Sequence, residues 1–382
     1  MTEKKLIMGV IGSSNKENEE RIPIHPKHMN QIPQNLRERI FFESGYASKF
    51  HISNSHLNEL FAGTLSRDEL FAKCDIILLP KPTEGDFPSF REGQILWGWP
   101  HCVQGEPITQ VGIDKKMTFV AWEAMFMWRK GVRDLHIFHK NNELAGYCSV
   151  LHALQLQGIS GHYGEQAKVA LISFGSVGRG AIHALLGSGF SDITLFTQRP
   201  AYAIAAPIPS IKHKQFKQAK PGSSDAVVIF DDSLISMSDE LQNYDIIVNA
   251  ILQDTDNPLM FIRNNDLGKF KPGSLIIDVS CDLGMGFEFA RPTSFEEPSF
   301  EVGTGVTYYA VDHSPTYKWN SASFEISAAL VPFIETVMGG PQSWEKDPII
   351  KNSIEIQDGE IKNPKILSFQ KRSPAYPHRK LD

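Results

Sequence analysis

The run VALISFGSVG, Val169 to Gly178, decides the fold of this chain. An apolar stretch leads into a turn of small residues, and RGAIHALLGSG then reads as a helix that stops on glycine. Strand, tight turn and helix in that order open a dinucleotide-binding βαβ unit, because the N–H groups of the helix's first turn face a pyrophosphate. Gly175, Ser176, Val177 and Gly178 are the expected contacts. The first glycine of the full G-x-G-x-x-G spacing is replaced by Ser173. The next strand, DITLFTQR, ends in Thr197, Gln198 and Arg199, where an acidic side chain would bond a ribose 2′-OH. A hydroxyl and a guanidinium suit a 2′-phosphate instead, so the expected cofactor is NADPH (NADP+) rather than NADH.

Outward from this unit, further strands are predicted at VVIF, DIIVNAIL, LIIDVS and YYAVDH, with helices between several of them. Upstream, LIMGVIG, RIFFE, DIILLP, QILWGW and TFVAWE alternate with helical stretches at 28–39 and 54–72, a second α/β pattern. ELAGYCSVLHALQLQGISG places Leu144, Tyr147, Leu151, Leu154 and Ile159 at helical spacing and reads as a helix linking the two. SASFEISAALVPFIETVM, ending at Met338, forms one more apolar helix interrupted near Pro332. Too little chain follows it for an independent domain, so it returns to the first, and the final Lys-, Pro- and Ser-rich stretch is expected to be extended or loosely ordered. The fold class is therefore α/β: two Rossmann-like doubly wound domains with a cleft between them, the first discontinuous. Residues 1–140 with 314–382 make the substrate (catalytic) domain and 141–313 the NADP(H)-binding domain.

Composition narrows the function classes. The chain of 382 residues is 41% hydrophobic and 21% charged with a formal net charge of −6, ordinary for a globular protein and opposite in sign to a nucleic-acid binder. The basic run Lys212 to Lys220 in IKHKQFKQAK reads as a solvated face and is assigned no partner. No uninterrupted apolar run is long enough to span a bilayer, and MTEKKLIMGVIG lacks a signal-peptide cleavage site, so no membrane partner is expected. Cys74, Cys102, Cys148 and Cys281 are widely spaced without a C-x-x-C pair, which predicts free thiols in a cytoplasmic protein and no metal.

Segments spread along the chain resemble one group, the alanine dehydrogenase and saccharopine dehydrogenase superfamily. They are KENEERIPIHP at 16–26, LLPKP at 78–82, ILWGWPHCVQ at 95–104, AWEAM at 121–125, the glycine loop, and DVSCDLGMGFEFARPTSFEEPSF at 278–300. WGWPHCVQ and the non-acidic TQR turn resemble the carboxyethylornithine synthase branch, whose members join pyruvate to the side-chain amine of ornithine, or less well lysine, with NADPH. AVDHSP at 310–315 is similar to the saccharopine-type reductases, which reduce an imine built from a keto acid and an amino acid.

The resemblance implies a set of site residues whose chemistry fits. Arg21 matches the substrate arginine, whose planar fork holds an α-keto acid carboxylate. Lys81 lies between prolines just after an apolar strand, where a parallel sheet puts its ligands, as a substrate-binding and catalytic group. His101, flanked by Trp97 and Trp99, suits proton exchange near neutral pH. Glu123 would tune these two, and Asp282 matches an aspartate on the nicotinamide side that also touches substrate. Asp312 is expected to help receive a cationic amino acid, with His313 orienting its loop, while Asp278 reads as structural. The partners implied are a 2-oxo acid and an amino acid, in a protein expected to form homo-oligomers. Three other readings remain: an alanine dehydrogenase using ammonia, a saccharopine-type reductase using 2-oxoglutarate, and a non-catalytic nucleotide-binding module like that of a transhydrogenase.

Overall fold

A computed structural model describes residues 6–231 and 233–381, gathered into two compact units. One comprises Met1–His139 and Trp319–Asp382, the other Lys140–Lys318. Each is built on its own sheet.

In the first unit β1 (Met8–Val10), β2 (Ile40–Glu43), β3 (Gly63–Leu65), β4 (Ile76–Leu78), β5 (Ile95–Gly98) and β6 (Thr118–Ala121) pair in parallel in the order β3-β2-β1-β4-β5-β6. β1, β4, β5 and β6 are buried at every residue, as expected of strands covered on both faces. Met8, Phe42 and Trp97 pack on one side of the sheet, and Ile77, Leu96 and Phe119 on the other. The helix expected over 54–72 is broken. Helices Asn54–Leu60 and Arg67–Lys73 flank β3, because Gly63 takes φ +139°, which no helix accepts, and a Ser66–Glu69 capping box restarts the helix. The stretch 28–39 holds only a 3-10 helix, Pro26–Gln31, and a single turn, Gln34–Arg37.

In the second unit β7 (Val169–Ile172), β8 (Ile193–Thr197), β9 (Lys212–Gln218), β10 (Ile246–Asn249), β11 (Leu275–Asp278) and β12 (Val306–Tyr309) pair in the order β9-β8-β7-β10-β11-β12, all parallel. Antiparallel strands extend both edges. The basic run at 212 is thus a strand: Phe216 enters the core while Lys212 and Lys217 stay in water, so the solvated face is real but the segment is not a loop. Helix α1 (His139–Gln157) buries Leu154 of the expected stripe and half-buries Tyr147 and Leu151, but its most deeply buried side is a neighbouring one of small residues. Gly146, Ser149, Val150 and Ala153 are buried, and Ile159 lies beyond the helix, 41% exposed. The reason is helix α2 (Ser176–Gly187), which crosses so closely that a Cβ on Gly146 would stand 1.9 Å from the Val177 carbonyl oxygen. One on Gly180 would stand 1.7 Å from that of Glu143, so small residues mark this contact rather than large apolar ones.

The end of the chain is ordered, contrary to the expectation of a loose tail. Strand Ile354–Gln357 joins β6 antiparallel, and helix Pro364–Phe369 follows. Buried Gln370 donates to the Cys102 carbonyl, buried Arg372 donates to Gln370, and buried His378 accepts from the Ile361 N–H. Satisfied buried hydrogen bonds hold a polar segment in place where apolar content does not. By length and composition the run Ser314–Met338 would suit a bilayer. Within it helix α3 (Trp319–Leu330) buries Ala322 and sets Ile326 and Leu330 in the first unit's core. All four cysteines are free.

Candidate active site

Strand register brings three of the expected residues together. Leu78 lies opposite Trp97 and Gly98 opposite Ala121, so the segments leaving β4, β5 and β6 emerge side by side. The pairing continues past the strands, with Trp99 N–H donating to the Pro80 carbonyl at 2.9 Å. Gly98 permits this approach, since a Cβ there would lie 1.9 Å from the Leu79 carbonyl oxygen. Lys81 Nζ then reaches His101 Nε2 at 3.1 Å, and the His101 N–H donates to Glu123 Oε1 at 2.6 Å. His101 holds φ +50°, a left-handed backbone that a non-glycine residue adopts at a cost. Its ring is half exposed, with Nδ1 3.9 Å from Glu123, rather than enclosed by apolar neighbours.

Arg21 joins this group through Trp99. Its guanidinium lies 5.2 Å from the indole centroid and Lys81 Nζ 5.8 Å from the same centroid, so both gather at one aromatic ring. Arg21 is buried, and its Nε donates to Glu19 Oε1 at 2.7 Å while Nη2 donates to the other oxygen. The fork expected to hold a substrate carboxylate therefore already grips an internal one. Burial opposes ionisation of Glu19, but the charge and hydrogen bonds of Arg21 outweigh it and hold Glu19 below its ordinary value. Glu123 goes the other way: burial, then the charge of Glu355, push it up to about 8. The pairing of Arg21 with a glutamate of the acidic run before it was one reading of the sequence, and the structure makes that partner Glu19, buried rather than at the surface. Glu355 was missed by sequence reasoning, and nothing in sequence connects it to Glu123.

The remaining expected residues lie in the second unit. Ser173 takes φ +78°, making the turn that the absent first glycine would make. Gly178 meets the demand for close helix–strand packing, because a Cβ there would lie 2.5 Å from the Ser173 carbonyl oxygen. Gly175 is exposed with open space where its Cβ would be, and α2 begins at Ser176 with no side chain capping it. Ser176 and Val177 are half-buried in that first turn. Exposed N–H groups at an uncapped helix start fit a dinucleotide pyrophosphate. Thr197 is buried, and its hydroxyl donates to the Arg199 carbonyl at 2.5 Å with His213 Nε2 2.8 Å away. That hydroxyl shapes the turn, while Gln198 and Arg199 stand exposed. Asp278 is buried and accepts from Asn249 at 2.8 Å and Tyr308 at 2.7 Å, with burial pushing it up to about 7. Burial also raises the half-buried Asp282, and Asp312 bonds to the ring of the neighbouring His313. Asp278, Asp282 and Asp312 all act on the Cys281 thiol, so the three carboxyls form one acidic cluster.

Two parallel sheets, one with a cation-rich polar site at its strand ends and one with a glycine turn before a helix, define a nicotinamide-nucleotide oxidoreductase. The alanine dehydrogenase/PNT N-terminal domain model matches residues 10–145 and the alanine dehydrogenase/PNT C-terminal domain model residues 152–364, and the chain belongs to that family. An N(5)-(carboxyethyl)ornithine synthase of Clostridium botulinum is 27% identical over 330 residues, 82% of this chain and 90% of that protein. An alanine dehydrogenase of Mycolicibacterium smegmatis is 21% identical over 360 residues, 91% of this chain and 92% of its own length. The solved structure of an L-alanine dehydrogenase shares the fold, with TM-score 0.74 and 18% identity, covering 95% of this chain and 99% of the other. The chain is an oxidoreductase related to enzymes of reductive amination and condensation.

Proposed function

We propose that this chain condenses pyruvate with the side-chain amine of L-ornithine or L-lysine and reduces the imine with NADPH, giving an N-(1-carboxyethyl) amino acid. The observation that carries this reading is the contact of Lys81 with His101 above Glu123, beside Arg21 on Trp99. Imine formation moves a proton at each step, and two nitrogen bases 3.1 Å apart can pass one between them. A substrate carboxylate competes with Glu19 for Arg21, which orients the keto carbon. Lys81 or His101 gives a proton to the keto oxygen, takes one from the attacking nitrogen, and protonates the departing hydroxyl as water.

Gly175, Ser176, Val177 and Gly178 would hold the pyrophosphate and Arg199 the 2′-phosphate, with Gln198 beside it and Asp282 toward the nicotinamide. When bound, that group supplies hydride to the imine carbon. Asp312 would receive the amino acid's cationic end. Residues 141–313 would thus serve the nucleotide, and 1–140 with 314–382 the substrate. Exposed Met127, Val132 and Leu135 on the hairpin Phe126–Arg129 and Val132–His136 support assembly into a homo-oligomer. The test is mass spectrometry of products from pyruvate, 2-oxoglutarate, ammonium, ornithine and lysine with NADPH. A carboxyethyl adduct of ornithine or lysine is expected. Alanine alone, or a 2-oxoglutarate adduct, would replace this reading.

A further inference from the structure

Behind the Lys81–His101 contact lies a second carboxyl group with no role so far. Strand β13 (Ile354–Gln357) sets Ile354 opposite Val120 and Ile356 opposite Phe119, which carries Glu355 alongside the strand that leads into Glu123. One oxygen of each carboxyl is engaged: Glu123 Oε1 accepts from His101 N–H, and Glu355 Oε1 accepts from Asn363 Nδ2 at 3.0 Å. The other oxygen of each, Oε2 in both cases, is shut off from solvent and has no hydrogen-bond partner. The buried Cys102 thiol feels both groups. Each carboxyl thus keeps one buried oxygen that only a proton would satisfy, and the charge of Glu355 acts on Glu123, which opposes ionisation of both.

We propose that Glu355 is a positioning residue that shares one proton with Glu123 and keeps Glu123 neutral beneath the Lys81–His101 pair. The inference rests on the acid–base role given to that pair above. An ionised Glu123 would favour a second proton on Lys81 and His101, and a fully protonated pair donates but does not accept. A neutral Glu123 leaves one mobile proton, so the pair works in both directions. Other groups facing Glu123 are Cys102 and His136, whose ring meets the Glu123 backbone and which burial drives down to about 4. Neither supplies a cation at neutral pH, and the charge of Lys81, which pulls Glu123 down, is outweighed by burial and by Glu355. Burial raises Glu123 and Glu355 together, in keeping with a protonated pair.

The test is an NMR titration of the His101 imidazole in the full chain without substrate, for the wild type, Glu355→Gln and Glu123→Gln. Glu355→Gln should let Glu123 ionise in the neutral range and raise the His101 midpoint by about one unit or more. The matching limb of kcat/KM should move the same way. Glu123→Gln, which fixes a neutral side chain, should leave the midpoint in place. An unmoved midpoint in Glu355→Gln, or equal shifts in both variants, overturns the proposal. If Glu355→Gln does not fold, infrared spectra at pH 7 decide: a protonated-carboxyl band present in the wild type and reduced in Glu123→Gln is required. A chain that reduces no imine yet shows these shifts sinks the functional reading and leaves the carboxyl pair standing.

Discussion

Both units carry six parallel strands in the order 3-2-1-4-5-6, yet their strand ends present different chemistry. At the ends of β4, β5 and β6 the first unit shows side chains: Lys81, His101 and Glu123. After β7 the second shows backbone, with an exposed glycine and an uncapped helix start. Under the proposed function, one topology would serve proton exchange in one place and anion recognition in the other. The difference lies in a few residues beyond each strand, which the sheet positions without constraining their identity.

The strongest test of this division is His101→Ala. The expected loss in turnover is about a hundredfold or more, the scale of a general acid–base group, with NADPH affinity unchanged by fluorescence titration. Equal loss of both would abolish the distinction between the units. Next come the glycines that allow close approach: Gly98→Ala and Gly180→Ala should each cost about 3 kcal/mol, since the added carbon meets a carbonyl oxygen in both. Thermal unfolding reads both, and Gly98→Ala should also separate Lys81 from His101 and lower turnover, whereas Gly180→Ala should not. Arg199→Asp sharpens the second unit's side. NADPH should weaken about tenfold or more while NADH changes little, and equal weakening would remove Arg199 from phosphate recognition.

A further test concerns pH. Asp278 titrates at about 7 when folded and at its ordinary value of 3.8 when unfolded, so the folded state binds the extra proton. The stability this provides is complete below about 3.8 and is lost as pH rises to about 7. Asp278→Asn should flatten that decline, and a melting-temperature series across this window that parallels the wild type would argue against it.

Much of this was legible in the residues. VALISFGSVG announced its strand, turn and helix because apolar periodicity and glycine spacing are local signals. Arg21, Lys81, His101 and Glu123 were found through motif resemblance, and register explains why the last three meet. The strand inside 54–72 and the strand at 212 were missed because tertiary pairing overrode helical and polar patterns. The small-residue side of α1 was missed because a close helix crossing selects glycine and alanine there, beside the apolar stripe that Leu151 and Leu154 mark.

Sequence alone settled the α/β class, the family and the residue types available for chemistry, since these follow from short-range pattern and motif order. Tertiary structure alone decided which charges meet. Glu19 spends its charge on Arg21, and Glu123 is raised first by burial and then by Glu355, which arrives from the far end of the chain. Protonation depends on burial and on neighbours within a few ångströms, and no spacing along the chain encodes either.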